Sequence, residues 1–175
     1  MTRITNFYSG IEADDQGRML ADILQHDDTW LERTHDYIQW LFPNREASTV
    51  TPWAPLITSE DVEEFRSNPS LRNELRVSFR RSLSFYGMEV SEGRIVKAAN
   101  WDERKHNWFT RDTHNNMRIT RILKCLMALS LENEARHFYK VLKNLVDTDD
   151  GSGITPPSVR YWSEAVGEQS LIRLP

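Results

Sequence analysis

A chain of 175 residues with 39% hydrophobic and 27% charged residues has room for one compact unit with its own core, and neither disorder nor a membrane class fits that usage. The net charge of −4 argues against general nucleic-acid binding, which needs a clustered excess of Lys and Arg. Cys125 is the single cysteine, so an internal disulfide and a multi-cysteine metal site are excluded and a reducing compartment fits.

The N-terminal stretch MTRITNFYSGIEADD lacks the apolar core of a signal peptide, and no apolar run approaches the length of a membrane span. The cytoplasm is the expected location. DQGRMLADILQ places Met19, Leu20, Ile23 and Leu24 at helical spacing after the acidic pair Asp14 and Asp15, a candidate cap. HDDTWLERTHDYIQWLF reads as the next helix, with Trp30, Thr34, Tyr37 and Leu41 on one face, and Pro43 ends it.

Residues 44–57, with Pro52 and Pro55 around Trp53, show no period and form one long Pro/Trp-containing loop. Thr58 caps a short acidic helix, and Asn68-Pro69 opens a longer one with Leu71, Leu75, Phe79 and Leu83 on a stripe that stops at Gly87. MEVSEGRIVKAA is either a loop or a short hairpin. A helical turn follows from Asn100-Trp101. Ile119, Ile122, Leu123, Leu126 and Leu129 then define the most regular helix, and Leu131, Ala135, Phe138, Leu142 and Leu145 a second, with the reversal near Ser130. DTDDGSGITPP is a linker by composition, and Pro157 starts a last helix. The expectation is an all-α, single compact multi-helix domain over residues 1–175, with roughly seven helices.

Three stretches in order, HDYIQWLFPNRE, NWDERKHNW and HNNMRITRILKCLMALSLE, carry a resemblance. Together they resemble the conserved domain of the opioid growth factor receptor family, over about residues 20–166. The resemblance implies an all-helical fold and, in the animal members, a receptor-like protein that binds an enkephalin-type peptide inside the cell and in the nucleus. It brings no catalytic residue set. The chain reads as a short member made of the domain alone, without a long repeat tail or a basic import cluster.

Two constellations carry recognition chemistry. Trp40, Phe42 and Pro43, with Trp53 and Pro55, either plug the core or form an apolar slot rimmed by Arg45 and Glu46. On the most regular helix, Arg118 and Arg121 fall at roughly +40° and −20° from His114, while the apolar residues centre near 130°. His114, Asn115 and Asn116 sit at that helix's start, where free N–H groups attract anions. The candidate ligand-binding set is therefore His35, Arg45, Trp101, Arg104, His114, Asn115, Arg118 and Arg121, with a peptide or an anionic small molecule as partner. The alternative is an internal ion-pair set, with Arg118 and Arg121 answered by the acids of NWDER or of the Thr58 helix.

No catalytic residue, metal site or cofactor is expected. Cys125 lacks a base placed by the sequence, and the five histidines form no HExxH pattern. A non-catalytic binding module is thus the leading reading. The competing one is an enzyme or nucleotide-binding protein that clamps a phosphate-bearing small molecule with the same cations.

Overall fold

The computed structural model describes residues 1–49, 51–111, 113–149 and 153–168. Ten α-helices, one short 3-10 helix and one two-stranded antiparallel hairpin account for the regular structure among them, so the all-helical expectation is corrected to a mostly helical fold with a small sheet and more helices than seven.

The first helix, α1 (Arg3–Tyr8), was not legible in the sequence. Thr2 caps it by accepting from the Thr5 N–H at 3.1 Å, and its own hydroxyl donates to Asp61. One apolar face (Ile4, Phe7, Tyr8) is buried, and the Tyr8 hydroxyl donates to the Leu41 carbonyl. The next helix, α2 (Leu20–Gln25), starts later than expected. Asp14 does not cap it. That carboxylate accepts from the Arg18 Nε at 2.7 Å and from the Gln16 and Arg18 N–H groups, closing a turn through Gly17 at φ 77°.

The continuous helix expected over residues 26–42 is two pieces, α3 (Asp28–Arg33) and α4 (Ile38–Leu41). Thr34 is extended at ψ 129°, and the carbonyls of Leu31 and Thr34 are taken by the Arg118 guanidinium at 2.9 and 2.7 Å. A side chain from a remote helix thus replaces two intrahelical hydrogen bonds.

Trp40 and Phe42 are buried, Trp40 against Phe7 with the rings 5.3 Å apart, whereas Trp53 is 60% exposed. The corner is therefore a core plug, and the apolar slot does not form. Thr58 and Asp61 cap α5 (Ser59–Ser67) reciprocally, and Asn68 caps α6 (Pro69–Phe85) by accepting from Ser70 N–H at 2.9 Å.

Strands β1 (Met88–Ser91) and β2 (Arg94–Lys97) pair with Met88 opposite Lys97, so the hairpin alternative holds for MEVSEGRIVKAA. Gly87 precedes them at φ 79°, where a Cβ would lie 2.8 Å from the Trp101 Cα. A four-residue α7 (Trp101–Arg104) and a 3-10 turn (Lys105–Asn107) lead to α8 (His114–Ala128), α9 (Glu132–Thr148) and α10 (Pro156–Ala165). Ser130, at φ 65°, makes the expected reversal between α8 and α9. One contiguous cluster of buried side chains runs from Ile4 to Val166, with Ile119, Ile122, Leu123 and Leu126 fully inside it.

Candidate ligand-binding site

Helix α8 turns its apolar stripe to α9 and α10, and this leaves the His114–Arg118–Arg121 stripe facing the broken α3–α4 segment and the loop after Pro43. Between them lies a cavity of about 360 Å³, walled on the α8 side by His114, Arg118, Arg121 and Lys124 and on the other by His35, Gln39 and Asn44.

Arg118 is buried. Its NH1 donates to the Leu31 carbonyl and, at 3.3 Å, to Asn115 Oδ1; its NH2 donates to the Thr34 carbonyl and stands 3.5 Å from His35 Nδ1. The guanidinium also lies 5.5 Å from the centre of the Tyr37 ring. Burial pushes the Tyr37 phenol up to about 12 against the opposing influence of Arg118.

Asn115 is a connector. Its amide nitrogen donates to the Glu32 carboxylate at 3.0 Å and to the Asn107 carbonyl at 3.1 Å, while its oxygen accepts from Arg118. Glu32 also meets His114 Nε2 at 3.2 Å, and the His114 ring lies edge-on to His35 at 5.0 Å. Burial and then Arg118 hold His114 below the usual histidine range, with Glu32 pulling the other way, so the ring is neutral at pH 7.

Arg121 donates through NH1 to the Phe42 carbonyl at 3.1 Å. Burial lowers its affinity for its proton, Glu46 opposes this through space, and no carboxylate makes a direct ion pair with it among the described residues. Lys124 is engaged by Glu46 at 2.7 Å, which holds the Glu46 carboxyl below its usual range. Neither Arg118 nor Arg121 is paired with an acid of NWDER or of α5, so the internal ion-pair alternative does not describe them. Both guanidinium groups instead rest on neutral oxygens.

Four of the eight candidates, His35, His114, Arg118 and Arg121, thus line one cavity, and Asn115 braces it from behind. The other three lie elsewhere. Arg104 donates to the Phe85 carbonyl at 2.8 Å and faces Asp28 at 3.5 Å, a structural cation. Trp101 packs on Trp108 and Phe109 with Lys97 over its ring, and the ring beside Arg118 is that of Tyr37. Arg45 is exposed and borders a separate depression beside Met127 and Glu164. Sequence reasoning missed Gln39, Asn44, Glu32 and Lys124. Of these only Lys124 left a signal, since it follows Arg121 by three residues and shares its side of the helix.

The family model of the opioid growth factor receptor (OGFr) conserved region matches residues 2–173. The chain belongs to the opioid growth factor receptor family. The match takes in α1 as well as the stretch from residue 20 onward. The opioid growth factor receptor of Mus musculus is 42% identical over 123 residues, covering 67% of this chain and 19% of its own length. The Homo sapiens protein of the same name is 41% identical over 123 residues, with 67% and 18% covered. The opioid growth factor receptor-like protein 1 of Xenopus tropicalis is 40% identical over 105 residues, with 59% and 20% covered. The chain spans about a fifth of the length of these family members. No solved structure matches it. No helix among the described residues is long and apolar enough to cross a membrane.

Proposed function

We propose that this family domain is a non-catalytic, receptor-like binding module of the cytoplasm that holds an anionic ligand, a peptide or a small molecule, in the cavity beside the start of α8. The observation that supports this is the state of Arg118 and Arg121, two cations on the cavity wall whose hydrogen-bond acceptors are all neutral. A charge removed from water without a directly paired counter-ion is costly, Glu46 acting on Arg121 only through space, and an anion arriving from solvent relieves that cost. The names of the relatives, which make them receptors, agree with a binding role. A thermal-shift and calorimetric screen of short peptides, carboxylates and phosphates tests the reading. It predicts at least one stabilising ligand, whose effect is lost in Arg121→Ala; a screen without any stabiliser overturns it.

One observation favours a second reading. The Glu32–His114 pair places an oriented, neutral imidazole at the cavity beside two cations, which is what an enzyme acting on a phosphate-bearing small molecule needs as a general base and a clamp. Turnover of a phosphoester panel that disappears in His114→Ala decides for it.

A further inference from the structure

We propose that the cavity selects a carboxylate, held on one edge of the Arg121 guanidinium, over phosphate or sulfate. This rests on the cavity being an anion site and goes further by naming the anion.

Arg121 spends one of its nitrogens on protein. Its NH1 is fixed to the Phe42 carbonyl, and its Nε and NH2 make no hydrogen bond among the described residues. A guanidinium presents its donors as a rigid planar fork. With NH1 fixed, the remaining edge offers two parallel N–H groups from Nε and NH2, a spacing that matches two oxygens of a carboxylate or of a phosphate, so the edge defines a two-oxygen anion seat and charge decides which anion fills it. Arg118 does not compete for the ligand in the same way, because both its terminal nitrogens already serve carbonyls and Asn115.

Charge selects among the anions that fit this edge. The cations at the cavity are Arg118, Arg121 and Lys124; the carboxylates are Glu46 on the wall and Glu32 behind His114 and Asn115. With His114 neutral, one positive charge is left over. A carboxylate closes that balance. A phosphate monoester, at about −1.5 to −2 near pH 7, leaves surplus negative charge beside Glu32 and Glu46.

The opposite wall supplies an independent observation. Gln39 and Asn44 are 5% and 8% exposed, and the side-chain oxygens of both lack a hydrogen-bond partner. Both oxygens are shut off from solvent, so they act on the cavity through their partial negative charge, which opposes a second negative charge there. The carboxylate comes from a peptide terminus, from an acidic side chain or from a small free acid, and the test separates the three.

The test follows the Arg121 Nε–H resonance of the full 175-residue chain by NMR at pH 7.5 and constant ionic strength. The probes are acetate, inorganic phosphate, sulfate, and three pentapeptides: free C-terminus, amidated C-terminus, and amidated with one internal Glu. The expected result is that acetate moves the resonance at concentrations on the order of tenfold lower than phosphate or sulfate, and that Arg121→Lys, which keeps the charge but loses the fork, removes the preference. A peptide that binds more tightly than acetate only with its free terminus assigns the source to a chain end, one that binds through Glu to a side chain, and none above acetate to a small acid. Phosphate binding as tightly as acetate overturns the selectivity and leaves the anion site standing. No movement with any probe overturns both. The wild-type selectivity needs no variant, so a failure of Arg121→Lys to fold leaves the test intact.

Discussion

Arg118 donates to the Thr34 carbonyl at 2.7 Å, across 84 residues of sequence, and so joins the most regular helix to the place where α3 stops. Leu31, one turn earlier, is held by the same guanidinium. The residue is therefore both a wall of the cavity and the clasp that keeps residues 34–37 out of a helix.

Two arginines on one stripe should consequently differ on substitution. Arg118→Ala leaves one buried carbonyl, that of Leu31, and one part-buried carbonyl, that of Thr34, without a donor and is expected to cost about 2–4 kcal/mol, at one to three per orphaned group with partial rescue by water. Arg121→Ala loses one hydrogen bond at a half-buried position and is expected to cost about 1 kcal/mol. Denaturant midpoints on both variants check the order; equal costs would mean that the two residues do the same work.

Leu123 is fully buried on the apolar face of α8, so Leu123→Ala is expected to destabilise the protein by about 2–5 kcal/mol through lost burial and a residual cavity. Chemical denaturation measures it, and a cost under about 0.5 kcal/mol contradicts the packing described.

His114 makes stability depend on pH. Burial and then Arg118 hold its pKa in the folded protein below the ordinary histidine value of about 6.5, so the unfolded chain binds the proton more readily. Its contribution is therefore intact above the unfolded value and declines as pH falls through it, levelling off below the folded value. His114→Gln should flatten that part of the stability profile. In the wild type, an anion that binds beside the ring should raise its pKa, so binding strengthens toward acid pH; titration of the ring by NMR with and without acetate reads both effects.

Cys125 is buried, and burial pushes its thiol well above the usual range. A thiol reagent at neutral pH should label it slowly in the folded protein and quickly in denaturant. Rapid native labelling would contradict its place in the core. Cys125→Ser should weaken the fold by about 1–3 kcal/mol, as a hydroxyl takes an apolar position.

The faces of α8 and α9, the Asn68-Pro69 start, the Thr58 cap and the reversal at Ser130 were readable because each depends on a period or a local rule. The break at Thr34 was not, because its cause is the Arg118 side chain, supplied from far along the chain. Helix α1 escaped notice because six residues carry too little periodicity to stand out. Within the candidate site, helical angles found Arg118, Arg121 and His114 on one stripe, and those three do share a cavity. Angles on one helix give no information about the facing wall, so Gln39 and Asn44 were invisible. Arg104 was drawn in by its charge alone, and Asp28 claims it.

The end of α4 is gripped from two directions. Tyr8 holds the carbonyl of Leu41, and Arg121 holds the next carbonyl, that of Phe42. Consecutive peptide groups are thus fastened to the start of the chain and to its middle, so the angle at which Arg121 presents its open edge depends on an anchor more than a hundred residues away in sequence. A shortened version beginning after Tyr8 keeps every cavity-lining side chain yet loses that anchor along with the buried Ile4, Phe7 and Tyr8, so the setting of the Arg121 edge would loosen although no residue of the cavity wall had changed.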